Sequence, residues 1–345
     1  MNVKNLRITI LYDITEETDK AEAEAEGEKV TLVAEHVEKT LKTLGHQVKR
    51  LVARPNLREL TGRIANDDSD LIFNLCESLG GISQHEQHVA SLLEIMGKRF
   101  TGAASIGLHL AQDKALSKKI FQFHGLSFPK FSSIDAGQVD WADDLRFPLF
   151  VKPQNEDASI GIDSKAVVRN VKELMERISY IQTEFKTPAL IEEFIEGREI
   201  YIGILGTEPL PLLEWDFSKV PDGNPKIASS EAKWDENSAY KDAPEIFPVD
   251  IPENVTAKLQ EAAVTAFKAL KLRDYGRVDM RLKESTNSNT KSASVIEGWE
   301  YYLIEVNPNP YLEPEAEFAM AAKKHGRPYP ELIQRIVESA MERPA

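Results

Sequence analysis

Two short stretches near the C-terminal end of the chain combine apolar, strand-forming residues with oxygen-bearing side chains. Tyr301-Tyr302-Leu303-Ile304-Glu305-Val306-Asn307-Pro308 is a run of β-branched and aromatic residues stopped by proline, the pattern of a strand. Side chains alternate between faces, so Leu303, Glu305 and Asn307 are expected on one face and Tyr302, Ile304 and Val306 on the other. Upstream, Tyr275-Gly276-Arg277-Val278-Asp279-Met280-Arg281-Leu282 sets Arg277, Asp279 and Arg281 against Val278, Met280 and Leu282. If the two strands pair, Asp279, Glu305 and Asn307 meet as oxygen donors suited to a hard cation such as Mg²⁺. Arg277 would stand beside them. The same alternation also describes a strand with one wetted face, and on this strand pair alone that plainer reading is favoured.

The rest of the chain supplies elements that could position such a site. Leu6 to Tyr12, His46 to Val52 and Leu71 to Leu75 read as strands. Lys29 to Leu44 has helical periodicity, with Val30, Val33, Val37, Leu41 and Leu44 on one side, and Leu57 to Ala65 is a second helix. Strands alternating with helices predict a parallel sheet and an α/β class. Glu86 to Met96 and Asp113 to His124 read as helices, the second carrying Lys114. Phe147 to Pro153 is a strand carrying Lys152. A loop from Gln154 to Ile162, the helix Val171 to Ile181 and the strands Ala189 to Ile195 and Ile200 to Leu205 follow. Ser218 to Ala243 is polar and broken by Pro and Gly, a long loop of the kind that often forms a lid. Glu253 to Leu270 and Pro330 to Met341 read as helices. Boundaries near residues 102 and 190 give an N-terminal α/β domain (1–102), a central domain (103–189) and a C-terminal domain (190–345).

Composition narrows the function. With 345 residues there is material for two or three domains and an ample core. The net charge of −14 argues against a broad nucleic-acid surface while leaving room for a local basic pocket. The single cysteine, Cys76, excludes an internal disulfide and a Cys-rich zinc site. His85 and His88 have no third ligand at suitable spacing. No signal-peptide pattern and no membrane-length apolar run are present, so a cytoplasmic location is expected. No Gly-x-Gly-x-x-Gly follows the first strand, which removes a dinucleotide-binding dehydrogenase.

An ordered set of short motifs adds to this. Phe73-Asn74-Leu75-Cys76-Glu77, Leu93-Glu94-Ile95-Met96-Gly97, Phe100-Thr101-Gly102, Asp113-Lys114, Val151-Lys152-Pro153, Glu192-Glu193-Phe194-Ile195, Glu199, Arg277-Val278-Asp279 and Glu305-Val306-Asn307 fall in sequence from about Leu71 onward. In that order they resemble the ATP-grasp superfamily, specifically the D-alanine–D-alanine ligases and their close relatives. The resemblance implies an ATP-grasp fold and a ligase that phosphorylates a carboxylate with ATP and lets an amine attack the acyl phosphate. It implies ATP and two Mg²⁺ (or Mn²⁺) ions as cofactors and small amino-acid substrates, and dimers are common in the family. Carried over by position, Lys114 and Lys152 would contact the phosphates. The 155–162 loop would fold over them, with Ser159 and Gly161 the useful positions. Glu192, Glu193, Phe194 and Ile195 would form the hinge under adenine, and Glu199 would take the ribose hydroxyls. Lys233 would reach in from the lid. Asp279, Glu305 and Asn307 would hold the metal, and Arg277 would stabilise the oxyanion. Ser159, and Tyr311 through its backbone N–H, would complete the catalytic set.

The departures from the family pattern concentrate on the substrate side. The glycine-rich motif expected after the first strand is replaced by an acidic segment, in which Glu26 or Glu28 is the candidate for holding the first substrate's amino group. Lys233-Trp234 stands where the family has Lys-Tyr. The closing motif reads Asn307-Pro308-Asn309-Pro310-Tyr311-Leu312-Glu313-Pro314, and the serine that grips the second substrate's carboxylate falls near Ala316, flanked by Glu315 and Glu317. The resemblance therefore implies an intact catalytic half with an altered substrate half. A non-catalytic ATP-binding regulator on the same fold is the rival reading.

Overall fold

The computed structural model describes residues 3–14, 32–135, 138–140, 144–156, 159–229, 232, 238–240, 242–285, 295–296 and 298–343. The candidate positions Glu26, Glu28, Lys233 and Trp234 lie outside the described residues. Three sheets carry the chain. The first is parallel, in the order β2-β1-β3, from β1 (Arg7–Asp13), β2 (Gln47–Ala53) and β3 (Leu71–Asn74). The apolar side of α1 (Leu32–Thr43) presents Val37 and Leu41 to Ile8, Ile10 and Tyr12, as the periodicity predicts. The same core takes Leu332, Ile333, Ile336 and Val337 from the last helix, α9 (Tyr329–Glu342), so the C-terminus is packed onto the N-terminal sheet. Helices α2 (Leu57–Ala65) and α3 (Glu86–Ile95) follow their predicted ranges closely.

The second sheet is antiparallel, in the order β5-β4-β8-β6-β7, from β4 (Phe131–Asp135), β5 (Gln138–Asp140), β6 (Leu149–Pro153), β7 (Val167–Val168) and β8 (Ala189–Glu193). Helix α6 (Val171–Glu184) covers it through Leu174, Ile178 and Ile181. Because β8 lies between β4 and β6, this sheet runs one strand past the boundary expected at residue 190.

The third sheet is also antiparallel: β12 (Glu245–Ile246), β11 (Leu213–Trp215), β9 (Arg198–Leu205), β13 (Tyr275–Glu284), β15 (Trp299–Asn307) and β14 (Val295–Ile296), with β10 (Glu208–Pro209) on β9. Its core face rests on α7 (Glu253–Ala269) through Val255, Leu259, Ala263 and Phe267. Helix α8 (Glu317–Lys324) precedes α9.

Two features depart from the sequence reading. Ser105–Gln112 forms a helix, α4, that the sequence reading left out, directly before α5 (Lys114–Phe123). It packs closely because Gly107 brings its backbone against the turn at Leu270–Leu272. A Cβ there would lie 3.0 Å from Leu272 Cδ2 and 3.1 Å from the Lys271 carbonyl. The second departure concerns β15. Asp279 pairs with Glu305, but Met280 pairs with Leu303, so Ile304 is an extra residue in a β-bulge. The bulge resets the alternation. Tyr301, Leu303 and Val306 all enter the core, whereas Ile304 and Glu305 line a cleft. The expectation that Leu303 shares a face with Glu305, and Ile304 with Val306, is corrected accordingly.

Candidate active site

The regular alternation of β13 buries Val278, Met280 and Leu282 and turns Arg277, Asp279 and Arg281 to the opposite face. Cross-strand pairing then sets Asp279 beside Glu305 and Arg277 beside Asn307. Arg277 grips Asp279 with two hydrogen bonds, Nε to Oδ1 at 2.8 Å and Nη2 to Oδ2 at 3.0 Å. Asn307 Nδ2 donates to Asp279 Oδ2 at 3.0 Å, so its amide oxygen is the atom that could take a cation. The guanidinium lies over the Tyr201 ring, 4.4 Å from its centroid. Burial works against its charge, yet Asp279 and then Glu317 outweigh it and hold Arg277 well above its ordinary pKa.

Three lysines are drawn to the neighbourhood of Glu305, each almost wholly shielded from solvent: Lys114 (2% exposed), Lys118 (0%) and Lys152 (1%). Fully buried lysines are rare unless paired. Lys152 Nζ lies 3.2 Å from Glu192 Oε2 and 3.5 Å from Glu305 Oε2, and Lys114 Nζ lies 3.8 Å from the same Glu305 oxygen. Lys118 was missed by the sequence reading. Its Nζ lies 2.7 Å from Glu192 Oε1 and donates at 2.8 Å to the carbonyl of Ile304, the bulged residue next to Glu305. Burial alone would raise the Glu192 carboxyl, but Lys118 and then Lys152 pull it below the ordinary range. Lys118 stands one turn after Lys114 on α5 and three residues before the buried Phe121. A lysine inside an apolar stripe is the signal that could have found it. Replacing Lys118 by Met should remove one partner of this buried pair and cost about 3–5 kcal/mol of stability. Urea denaturation checks it; an unchanged midpoint would show that Lys152 alone satisfies Glu192.

Of these groups Lys152, Glu192, Asp279 and Glu305 line a cleft of about 640 Å³ between the second and third sheets, whereas Arg277, Asn307, Lys114 and Lys118 are not among its lining residues. Lys152, Ser159, Glu192, Glu193, Phe194, Ile195, Glu199, Asp279 and Glu305 line it. Phe150 and Phe194 stack at 6.4 Å between centroids at one side, apolar surface on which a planar ring can lie. Glu199 is held in place by Arg281 Nη2 at 2.7 Å and the Tyr201 hydroxyl at 2.9 Å. The Ala228 amide donates to Glu199 at 3.2 Å, and Ser159 Oγ donates to the Ala228 carbonyl at 2.9 Å, so the 218–243 loop reaches the cleft.

Other expected positions are placed differently. Gly161 has a positive φ of 72°, and a Cβ there would lie 2.6 Å from Pro153 Cγ; its carbonyl accepts from Arg177. Its glycine is therefore required by packing behind the loop. Tyr311 is 40% exposed and is not among the residues lining the cleft.

The donor set fits Mg²⁺. Two carboxylates and an amide oxygen are hard ligands, and Mg²⁺ commonly takes one or two carboxylates and completes its shell with substrate phosphates and water. Among the described residues no cluster of three or more His, Cys, Asp or Glu offers an all-protein metal cage. The buried lysines and the flat apolar wall fit a nucleoside triphosphate in the same way.

Comparison with known proteins agrees with this geometry. Residues 120–338 match the family described as D-ala D-ala ligase C-terminus. A Sinorhizobium fredii protein known only as uncharacterized protein y4sG is 30% identical, covering 90% of this chain and 88% of its own length. The D-alanine–D-alanine ligase of Desulforudis audaxviator is 30% identical over 74% of this chain and 77% of that one. Among solved structures, D-alanine–D-alanine ligase from Bacillus anthracis complexed with ATP aligns with a TM-score of 0.72 over 97% of both chains at 21% identity, a likeness of fold. The chain has the ATP-grasp fold and belongs to the D-alanine–D-alanine ligase family of ATP-grasp ligases.

Proposed function

We propose that the protein joins the carboxylate of an amino acid, D-alanine being the first candidate, to an amine at the expense of ATP. The observation that carries this reading is the convergence of Asp279, Glu305 and Asn307 on paired strands, with Arg277 clamped beside them. The donor carboxylate attacks the γ-phosphorus of ATP, the bond to the β-phosphate oxygen breaks, and ADP leaves. The amine then attacks the acyl-phosphate carbonyl, and the C–O bond breaks with its electron pair going to phosphate. The nitrogen sheds a proton to become nucleophilic and another as the amide forms. Lys114 and Lys152 neutralise phosphate charge at a water-poor position, where a fixed cation acts most strongly. Glu193 to Ile195 and Phe150 bed the base, and Glu199 accepts from the ribose. Asp279, Glu305 and Asn307 would hold Mg²⁺, which when bound supplies charge neutralisation across the transferring phosphate. Arg277 donates to the carbonyl oxygen as it gains charge.

Hydroxylamine trapping tests the reading without knowledge of the acceptor. The protein should form a hydroxamate from D-alanine, or from another member of a D- and L-amino-acid panel, only with ATP and Mg²⁺. Nucleotide binding without hydroxamate from any donor would favour the regulator instead. The 218–243 loop should also lose its protease cleavage sites when ATP and Mg²⁺ are added, because Ala228 already bridges Ser159 and Glu199 at the cleft mouth. Cleavage at an unchanged rate would argue against a closing role.

A further inference from the structure

The face of β13 that carries Arg277 and Asp279 has a further charged residue two positions on, Arg281. It lines the cleft, and only 6% of it is exposed. Arg281 is the direct ladder partner of Glu199 on the antiparallel strand β9. Its Nη2 donates to Glu199 Oε2 at 2.7 Å, and its Nη1 donates to the Gly197 carbonyl at 3.0 Å. Gly197 lies in the turn between β8 and β9. A Cβ there would come 2.5 Å from the Leu282 carbonyl, so glycine is what lets this turn lie against β13. The same guanidinium stands 6.0 Å from the centroid of the Phe194 ring. One buried cation thus holds the turn and the Glu199 carboxylate together, at the edge of the aromatic wall.

Residues two apart on a strand share a face and stand about 7 Å apart. Asp279 and Arg281 both line the cleft, so the strand that presents a carboxylate on the phosphate side presents Arg281 one step further, on the nucleoside side. The Glu199 side chain is only 13% exposed. A carboxylate offers about four acceptor positions. Among the described residues three are used: by Arg281, by the Tyr201 hydroxyl at 2.9 Å and by the Ala228 amide at 3.2 Å. One is left for a sugar hydroxyl, and its direction is set by the partners that hold the others. Arg281 alone among those partners is charged, and charge-assisted hydrogen bonds are about twice as strong as neutral ones. We infer that Arg281 is a positioning residue: it aims Glu199 at a ribose hydroxyl and thereby makes the cleft selective for ribonucleotides over deoxynucleotides. It acts through Glu199 and need not touch the sugar. This inference rests on the ligase reading of the cleft, in which Glu199 faces the ribose.

Titration calorimetry with ADP, 2′-deoxy-ADP and 3′-deoxy-ADP in the presence of Mg²⁺ reads this without turnover. The wild type should bind ADP more tightly than at least one of the deoxy forms by about tenfold or more, the scale of one hydrogen bond to a charged group. Arg281→Met should bring that ratio to within about threefold of unity. A merely structural loss would weaken all three nucleotides in step and leave the ratio where it was. Arg281→Lys keeps a cation against Glu199, but a point charge cannot also hold the Gly197 carbonyl. Its ratio should fall between those of the wild type and the Met variant, and it carries the comparison if the Met variant does not fold. A wild type that binds all three nucleotides alike overturns the inference and leaves the nucleotide seat standing. A Met variant, or in its place the Lys variant, that keeps the wild-type ratio does the same. No binding of ADP by the wild type overturns the inference and the ligase reading together.

Discussion

Glu305→Gln should reduce Mg²⁺-dependent turnover by about a thousandfold while leaving ADP binding in the presence of a metal chelator undiminished, or tighter. The two halves of this result have different physical causes. On the ligase reading Glu305 is a metal ligand, so its loss takes away charge that the metal needs, and metal-assisted charge stabilisation is worth several kcal/mol at the transition state, about a factor of ten per 1.4 kcal/mol. Without metal, Glu305 has the opposite effect on nucleotide. It lies 3.5 Å from Lys152 and 3.8 Å from Lys114, so it competes with the phosphates for the same two cations. Gln fills the same volume and ends that competition. Titration calorimetry with ADP and EDTA, set beside steady-state ADP release, checks both. If binding weakened in step with turnover, Glu305 would be holding the cleft together and the metal assignment would lose its support.

The sequence was most legible where a strand alternates without interruption. Arg277, Asp279 and Arg281 could be assigned to one face of β13 because nothing breaks its period, and Val278, Met280 and Leu282 fill the core as the pattern requires. The same rule failed on β15. One inserted residue reverses every side chain before it, and the bulge at Ile304 has no marker in residue type. Its support is distant in the chain: the Leu303 amide donates to the Ser127 carbonyl, and Lys118 donates to the Ile304 carbonyl. Neither contact can be read locally. Lys118 itself was passed over because an isolated lysine on a helix is ordinarily a solvated charge, and only the meeting of α5 with β8 and β15 makes it a buried one. Helix α4 went unread for a similar reason. Its inward residues Gly107, Leu108 and Ala111 are mostly small, and the approach to Leu272 that needs them small is a tertiary fact.

Arg277→Lys should bind ATP nearly as the wild type does and yet lose about a hundred- to a thousandfold in kcat, the range found when one donor to a developing oxyanion is removed. Charge is conserved in this variant, so any loss must come from geometry. The guanidinium serves three directions at once, with Nε and Nη2 on Asp279 and Nη1 facing Glu317. A lysine ammonium is a point charge on a flexible stem and cannot hold both carboxylates while aiming at a third position. It would settle against Asp279, which keeps the buried carboxylate paired and the strand folded. Arg277→Met would go further: Asp279, only 5% exposed, would lose both hydrogen bonds from its guanidinium partner. Loss of the partner of a buried charge costs about 3–5 kcal/mol, so this variant should also unfold at markedly lower urea. The comparison of the two separates catalysis from architecture. A Lys variant that turns over at the wild-type rate would mean that charge alone suffices and that Arg277 is a structural clamp for Asp279. A Lys variant that unfolds as readily as the Met variant would mean that the two-pronged grip, rather than the charge, holds this part of the sheet.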